Sequence, residues 1–376
     1  MIAVRILHLH STFSLGGKEA RAVRLMNAFG DHARHTVLSA MPGEMGARAA
    51  IAPDIEVAFP DDAPSLQGKP GPGRYLRLAR YMAGFDLVLT YNWGAMDGVM
   101  ARRMYTLVMR LPPIVHHEDG FNADETHGQK AKRVWFRRAG LPTVAALVVP
   151  SQRLERIATE VWRQPAARVR RIANGIAVGE YGGAPEPLPG FLRRPGDVVV
   201  GTIAGLRAVK DLPRLVRAVA ALPGQVRLLI VGEGPERGAI LAEAARLGIA
   251  ERVHLAGFHS RPAAVLGQFD LFALSSESEQ FPISVLEAMA AGLAVVAPAV
   301  GDVAAMVSVP NRPYVVTEPD PALAEALGAL VADPVLRREI GQANRAVAEK
   351  SFDENQMIAA YRALYAGAIG RPDALG

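Results

Sequence analysis

Short apolar runs alternate with amphipathic stretches along this chain. In the first half, runs of strand length fall at 4–10, 34–39, 55–58, 86–89, 113–116, 144–149 and 168–172. Between them, apolar positions recur at helical spacing near 18–29, 73–83, 94–109, 127–139 and 151–161. Buried strands separated by helices predict a parallel α/β architecture. The second half repeats the order, with strands expected at Val198–Ile203, Val226–Val231, Val253–Ala256, Asp270–Leu274 and Leu293–Ala297. Asp211 is placed to cap a helix that carries Pro213 in its first turn and runs to about Leu222. Further helices are expected after Pro235, over Arg261–Phe269 and Pro282–Ala291, and through most of 320–368.

Between the halves, Gly179–Gly190 reads GEYGGAPEPLPG, punctuation dense enough to mark a linker. The expected division is a first domain over 1–176, a linker over 177–196 and a second domain over 197–352. At 376 residues, each domain is long enough to bury its own core. Half the residues are hydrophobic and 21% are charged, which excludes a disordered or fibrous chain. The absence of cysteine removes disulfides, thiolate metal sites and a cysteine nucleophile. The net charge of +5 suits an anionic ligand or a lipid surface and is too diffuse to indicate nucleic acid. Ala288–Gly301 is charge-free, but Gly292 and Pro298 interrupt it and it is too short to span a bilayer. A strand-like run starts at Val4 with no signal-peptide pattern before it, so a cytoplasmic location is expected.

The richest stretch runs from Ser275 to Gly292. A strand ends near Leu274, a loop carries Glu279, Pro282 pre-sets a helical turn and Gly292 ends the helix. Parallel sheets bind ligands at the carboxyl ends of their strands, and a helix start offers N–H groups and a positive dipole end to an anion. Ser284 and Glu287 share one helix face. Glu287 is placed for ribose hydroxyls and Glu279 for sugar hydroxyls. The plainer reading makes them a dipole partner and a solvated loop charge. Gly205-Leu206-Arg207-Ala208-Val209-Lys210-Asp211 follows the first strand of the second domain. Its Arg207 and Lys210 supply a fork and a point charge that together can neutralise a diphosphate. Gly16-Gly17-Lys18-Glu19 opens the first helix, where two glycines allow backbone to approach an anion. It is not the dinucleotide glycine fingerprint. His116-His117-Glu118-Asp119 ends the strand at 113–116 and places four polar groups at a strand's carboxyl end.

These motifs resemble the family 4 retaining glycosyltransferases. Glu279 and Glu287, with seven residues between them, match that family's paired glutamates, and Phe281-Pro282, Leu286-Glu287-Ala288-Met289-Ala290, Gly292 and Val295-Val296 match the frame around them. Gln280 stands where the family usually has Gly, and Ala294 where it has Pro. Asn174-Gly175-Ile176, Val231-Gly232-Glu233-Gly234-Pro235 and His254-Leu255-Ala256-Gly257-Phe258 also resemble familiar positions. The resemblance implies a GT-B fold: two Rossmann-like parallel-sheet domains facing across a cleft, with a C-terminal helix over 353–376 crossing back to the first. It implies that the first domain binds the acceptor and the second the nucleotide sugar. Donor-binding residues would be Gly16, Gly17, Gly205, Arg207, Lys210, Phe258, Glu279, Phe281, Pro282, Ile283, Ser284, Val285 and Glu287. Catalytic residues would be His116, Glu279, Lys210 and Arg207. Lys18, His117, Glu118 and Asp119 would lie on the acceptor side.

No Asp-x-Asp triplet occurs in the chain, so neither a metal nor a cofactor is expected beyond the nucleotide diphosphate sugar itself. The family's mechanism implies an oxocarbenium-like transition state with the β-phosphate accepting the acceptor's proton. The expected acceptor is a glycan or a polyprenyl-diphosphate-linked glycan, in bacterial polysaccharide or cell-envelope assembly. Arg133, Arg137 and Arg138, and Arg153, Arg156, Arg163, Arg168, Arg170 and Arg171, are interleaved with Trp135, Phe136 and Trp162. They suit either contact with an anionic membrane at the inner face of the plasma membrane or amphipathic helices with snorkelling arginines. Alternatives are a nucleotide-sugar epimerase of the same architecture, a non-catalytic sugar-binding protein and a nicotinamide dehydrogenase, the last disfavoured by the missing glycine fingerprint.

Overall fold

A computed structural model describes residues 2–14, 16–68, 71–121, 125 and 128–376. Leu15, beside the expected glycine loop, and His127, the expected first residue of a helix, lie outside the described residues. The chain forms two compact units, Met1–Asn174 with Met357–Gly376, and Gly175–Gln356.

The first unit begins β1 (Val4–His10), α1 (Gly17–Phe29), β2 (Ala33–Ser39), β3 (Val57–Ala58), α2 (Pro72–Met82), β4 (Leu87–Tyr91) and α3 (Met96–Tyr105). It continues with β5 (Ile114–His117), α4 (Ala131–Gly140), β6 (Ala146–Val149), α5 (Gln152–Arg156) and β7 (Val169–Arg171). Among the described residues these strands make a seven-stranded parallel sheet in the order β3-β2-β1-β4-β5-β6-β7. All of β1 except Arg5 is buried, as a strand covered on both faces requires.

The second unit carries β8 (Val198–Ile203), α6 (Leu212–Ala220), β9 (Val226–Val231), α7 (Arg237–Arg246), β10 (Val253–Gly257), α8 (Ala263–Leu266) and β11 (Leu271–Ala273). There follow α9 (Ile283–Ala290), β12 (Val295–Pro298), α10 (Val303–Met306), β13 (Val315–Val316), α11 (Pro319–Ala332) and α12 (Pro334–Ser351). Its sheet is also parallel, ordered β10-β9-β8-β11-β12-β13. Both sheets reverse direction beside their first strand, at β1/β4 and β8/β11. At such a switch point the following loops splay apart and leave a crevice.

Parallel α/β units are what the alternation of runs predicts. Two elements went unpredicted, α10 and β13, because four and two residues are too short to show a period. The stretch 177–196, expected as a linker, clusters instead with the second unit: Val178, Tyr181 and Leu188 are buried in its core. A last helix, α13 (Glu354–Ala368), places Met357, Tyr361 and Tyr365 in the core of the first unit with Phe29 and Tyr91.

Candidate functional site

At the switch point of the second unit, the loops after β8 and β11 meet. Lys210 forms an ion pair with Glu279, and both side chains are largely covered. Ser276 Oγ donates to the same Glu279 oxygen at 2.7 Å, so the carboxylate is held from two sides. Ser275 Oγ donates to the Lys210 carbonyl at 2.8 Å, and the Glu277 N–H donates to the Val209 carbonyl at 2.9 Å. Asp211, in the left-handed region at φ 38°, caps α6 by accepting from the Arg214 N–H at 3.2 Å. Arg214 in turn donates to the Ser275 carbonyl at 3.0 Å. The lysine loop and the glutamate loop are thus one hydrogen-bonded body.

Immediately after Glu279 the chain enters α9. Pro282 precedes its first residue, and the helix lays Val285, Leu286, Ala288, Met289 and Ala290 into the core. Half-buried Ser284 and Glu287 lie on the opposite face. The Tyr181 hydroxyl donates to Glu287 Oε1 at 3.3 Å. Phe281 packs edge-on against Phe352, with ring centres 5.7 Å apart. Gly301, at φ 56°, fixes the loop from behind, because a Cβ there would stand 2.6 Å from the carbonyl oxygens of both Glu279 and Gln280. Asp302 reinforces this by donating its N–H to the Gln280 carbonyl at 3.1 Å.

A cavity of about 470 Å³ opens nearby, lined by Gly232, Glu233, Gly234, Arg237, Leu255, Ala256 and Gly257. Its glycines are dictated by close approach. A Cβ on Gly232 would meet the Ala204 carbonyl oxygen at 1.9 Å, and one on Gly234 the Leu206 carbonyl oxygen at 2.4 Å. The Leu206 N–H donates to the Glu233 carbonyl at 2.8 Å, which ties the Gly205 loop to the cavity wall. Exposed Arg207 folds over Gly205. Phe258 is 59% exposed at the rim, and its N–H donates to Glu233 Oε1 at 3.4 Å.

The structure therefore joins Lys210 with Glu279, sets Ser284 and Glu287 on the exposed side of α9, and places Gly205, Arg207 and Phe258 beside the cavity. Some expected donor residues do not fit. Val285 is fully buried and its N–H is bound to the Pro282 carbonyl at 3.1 Å, so neither group can meet a ligand. Pro282 is buried, and Ile283 packs against the core. Ala294, which stands where the family usually has Pro, is a core residue. Asp211 caps its helix as expected, whereas Ser276, Tyr181, Glu233 and Gly301 were missed as parts of the site. Their only signals were a polar run after a strand and single residues in loops.

In the first unit the correction is larger. His116 is 0% exposed, and both ring nitrogens have partners, Thr90 Oγ1 at 2.7 Å and Glu118 Oε2 at 3.3 Å. It cannot touch a transferred sugar as arranged. Glu118 is equally buried and takes a two-point grip from Arg137 at 2.9 and 3.1 Å. Burial would raise the Glu118 carboxyl, but the Arg137 guanidinium beside it holds it below the usual range. His117 is sealed by the Thr90 carbonyl and the Tyr365 hydroxyl. Of the four polar residues, Asp119 alone is partly exposed, and it grips buried Arg21, which also reaches Asn174 Oδ1 at 2.9 Å. Burial would raise Asp119 too; the neighbouring Arg21 keeps it lowered. Gly16 and Gly17 stand exposed at the start of α1, with Lys18 paired to buried Glu19.

Taken with the two switch-point sheets, this architecture is that of the two-domain GT-B glycosyltransferases. HepE from Anabaena, in complex with UDP and glucose, superposes with a TM-score of 0.77 over 95% of this chain and 98% of that one, at 19% identity. Residues 189–347 match the family described as glycosyl transferases group 1. It is 31% identical over 166 residues to the N-acetyl-alpha-D-glucosaminyl L-malate synthase of Bacillus anthracis, covering 43% of this chain and 44% of that protein. It is 33% identical over 194 residues to the D-inositol 3-phosphate glycosyltransferase of Segniliparus rotundus, covering 47% and 42%. The chain thus spans less than half the length of these relatives.

Proposed function

We propose that this protein is a retaining glycosyltransferase that moves a sugar from a nucleotide diphosphate sugar to a hydroxyl of a glycan or polyprenyl-diphosphate-linked acceptor. The observation that carries the reading is the Lys210–Glu279 pair at the start of α9, in one body with a glycine-walled cavity. The cavity takes the nucleotide base beside Phe258, and Glu287 takes the ribose hydroxyls. Arg207, Lys210 and the first N–H groups of α9 receive the diphosphate, and Glu279 orients the sugar.

In the transfer, the bond from the anomeric carbon to the β-phosphate oxygen breaks and a bond to the acceptor oxygen forms on the same face. The acceptor proton passes to the departing phosphate. Arg207 and Lys210 stabilise the charge that grows on that phosphate, and this electrostatic work needs no metal. Lys210 is already fixed by Glu279 and Ser275 before donor arrives, so little reorganisation is left for the transition state. The acceptor side falls to the first unit, where Lys18 and Asp119 remain candidates. A lipid-linked acceptor would bring the enzyme to the inner face of a bacterial membrane in cell-envelope glycan assembly.

The test is transfer kinetics with Lys210→Ala and Glu287→Gln, on a donor chosen by thermal-shift screening of nucleoside diphosphates. Lys210→Ala should lower kcat and kcat/KM together by about 100-fold or more. Glu287→Gln should act mainly on KM. Unchanged kcat/KM in both variants removes the phosphate and ribose assignments. Conversion of donor without any acceptor would show an epimerase instead.

A further inference from the structure

Several of the arginines that the sequence offers as a membrane contact are engaged in the fold. Arg137 is internal, Arg133 pairs with buried Glu125, Arg138 binds the Val161 carbonyl and Arg171 pairs with Glu155. A different surface stands out. Leu107 is 95% exposed, Val108 76% and Met104 44%, all at the turn that ends α3.

This turn is braced. The Thr106 N–H donates to the Arg102 carbonyl at 3.0 Å and the Met109 N–H to the Tyr105 carbonyl at 2.9 Å. Arg102 binds the carbonyls of Leu111 and Thr143 at 3.0 Å, and that of Pro112. The Tyr105 hydroxyl donates to the Pro72 carbonyl at 3.0 Å. Consecutive apolar side chains are thus held outward by a fixed scaffold, where burial would ordinarily have drawn them in.

The charge around them has one sign. Exposed Arg103 and Arg110 flank the turn, and no Asp or Glu occurs from 98 to 117. Helix α2, packed on α3, adds exposed Arg77 and Arg80, with no Asp or Glu from 63 to 85. The nearby carboxylate at the far end of α3, Asp97, is bound by Arg74 at 2.6 Å. An apolar tip in a basic collar without acidic residues complements a surface that is anionic outside and apolar beneath.

We propose that the Met104–Val108 turn inserts into the interface of an anionic bilayer, with Arg103 and Arg110 on lipid phosphates. The inference deepens the lipid-linked reading above and rests on it for its purpose. The binding itself needs neither donor nor acceptor.

The experiment is co-sedimentation of the full chain with phosphatidylglycerol/phosphatidylcholine vesicles and with phosphatidylcholine vesicles, at low and high salt. The variants are Leu107→Asp/Val108→Asp and Arg103→Ala/Arg110→Ala, with Arg153→Ala/Arg156→Ala as control. The wild type should pellet with the anionic vesicles at low salt. The aspartate pair should cut partition at least about 10-fold. The alanine pair at 103 and 110 should lose the preference for anionic lipid, and the control should match wild type. Because the substituted side chains are exposed, urea midpoints should be unchanged, which separates lost binding from lost folding. Absence of wild-type binding, or equal binding by the aspartate pair, overturns the proposal. So does a wild-type dimer that the aspartate pair dissociates, since the turn would then meet a second copy. Transfer to a water-soluble acceptor by the aspartate pair is expected to persist, so failure here is distinct from failure of the sugar-transfer reading.

Discussion

Acid should unfold the first unit well before ordinary carboxylate titration would. Four buried imidazoles lie there around Tyr91. His8 shares a 3.0 Å hydrogen bond with His35 and a 3.2 Å bond with the Tyr91 hydroxyl. His10 stacks on Tyr91 with ring centres 4.0 Å apart, and neither of its nitrogens has a partner among the described residues. His117 has its Nδ1 3.2 Å from the Thr90 carbonyl, which only an N–H can satisfy, and in the neutral ring its Nε2 then accepts from the Tyr365 hydroxyl at 2.7 Å. Burial pushes His35 down to about 4 and, with Arg21 nearby, His117 down to about 3; Asp119 opposes the latter only in part. Burial first, then neighbouring imidazoles for His8 and Lys18 for His10, hold those two well below the usual value.

Folded, these rings stay neutral, whereas in the unfolded chain they bind protons below about pH 6.5. Stability therefore falls as pH drops from 6.5 toward the folded values. Between pH 7.5 and 5.0, His35 and His117 each remove about 2 kcal/mol, or about 4 kcal/mol together, and His8 and His10 act in the same direction. That is a large share of the 5–15 kcal/mol that typically holds a domain together, on the order of half. The chain's three tryptophans, Trp93, Trp135 and Trp162, all lie in the first unit, so their emission follows its unfolding. With a urea slope of about 2 kcal/mol per molar, the midpoint should fall by about 2 M from pH 7.5 to 5.0. His10→Phe, which removes the ring without partners, should flatten that dependence. A midpoint shift below about 0.5 M would refute the reasoning, because even one such histidine should exceed it.

Other consequences can be measured directly. Arg137→Met leaves Glu118 charged and buried, and should cost the first unit about 3–5 kcal/mol in the same tryptophan-detected urea titration. Gly301→Ala drives a methyl into the backbone behind Glu279. Transfer activity should fall by about 100-fold and the thermal midpoint should fall as well, so an unaffected kcat would show that the loop is not positioned from there. Chelation with EDTA should leave transfer unchanged if Arg207 and Lys210 carry the diphosphate, and activity lost to EDTA and restored by Mg²⁺ would count against them.

Which parts of this molecule can be read from its sequence follows from how far apart interacting residues lie along the chain. The features read well in the second unit are local. Pro282 stands just before a short helix that carries Ser284 and Glu287 in fixed order, and Asp211 is three residues from the Arg214 whose N–H donates to it. Spacing determines such geometry. In the first unit the same residue types are paired at long range. Glu118 lies 19 residues from Arg137, Asp119 98 residues from Arg21, and His117 248 residues from Tyr365. A run of four polar residues at a strand end therefore looked like chemistry when three of the four complete a buried network. The arginine that neutralises Glu118 looked like surface charge for the same reason. Buried charge at a strand's end is tolerated only with its partner in place, so each pair must be assembled when the first unit folds. Such a network gives the unit rigidity and acid sensitivity together, and leaves Asp119, held by Arg21 and still partly open to solvent, as its one member able to meet a ligand.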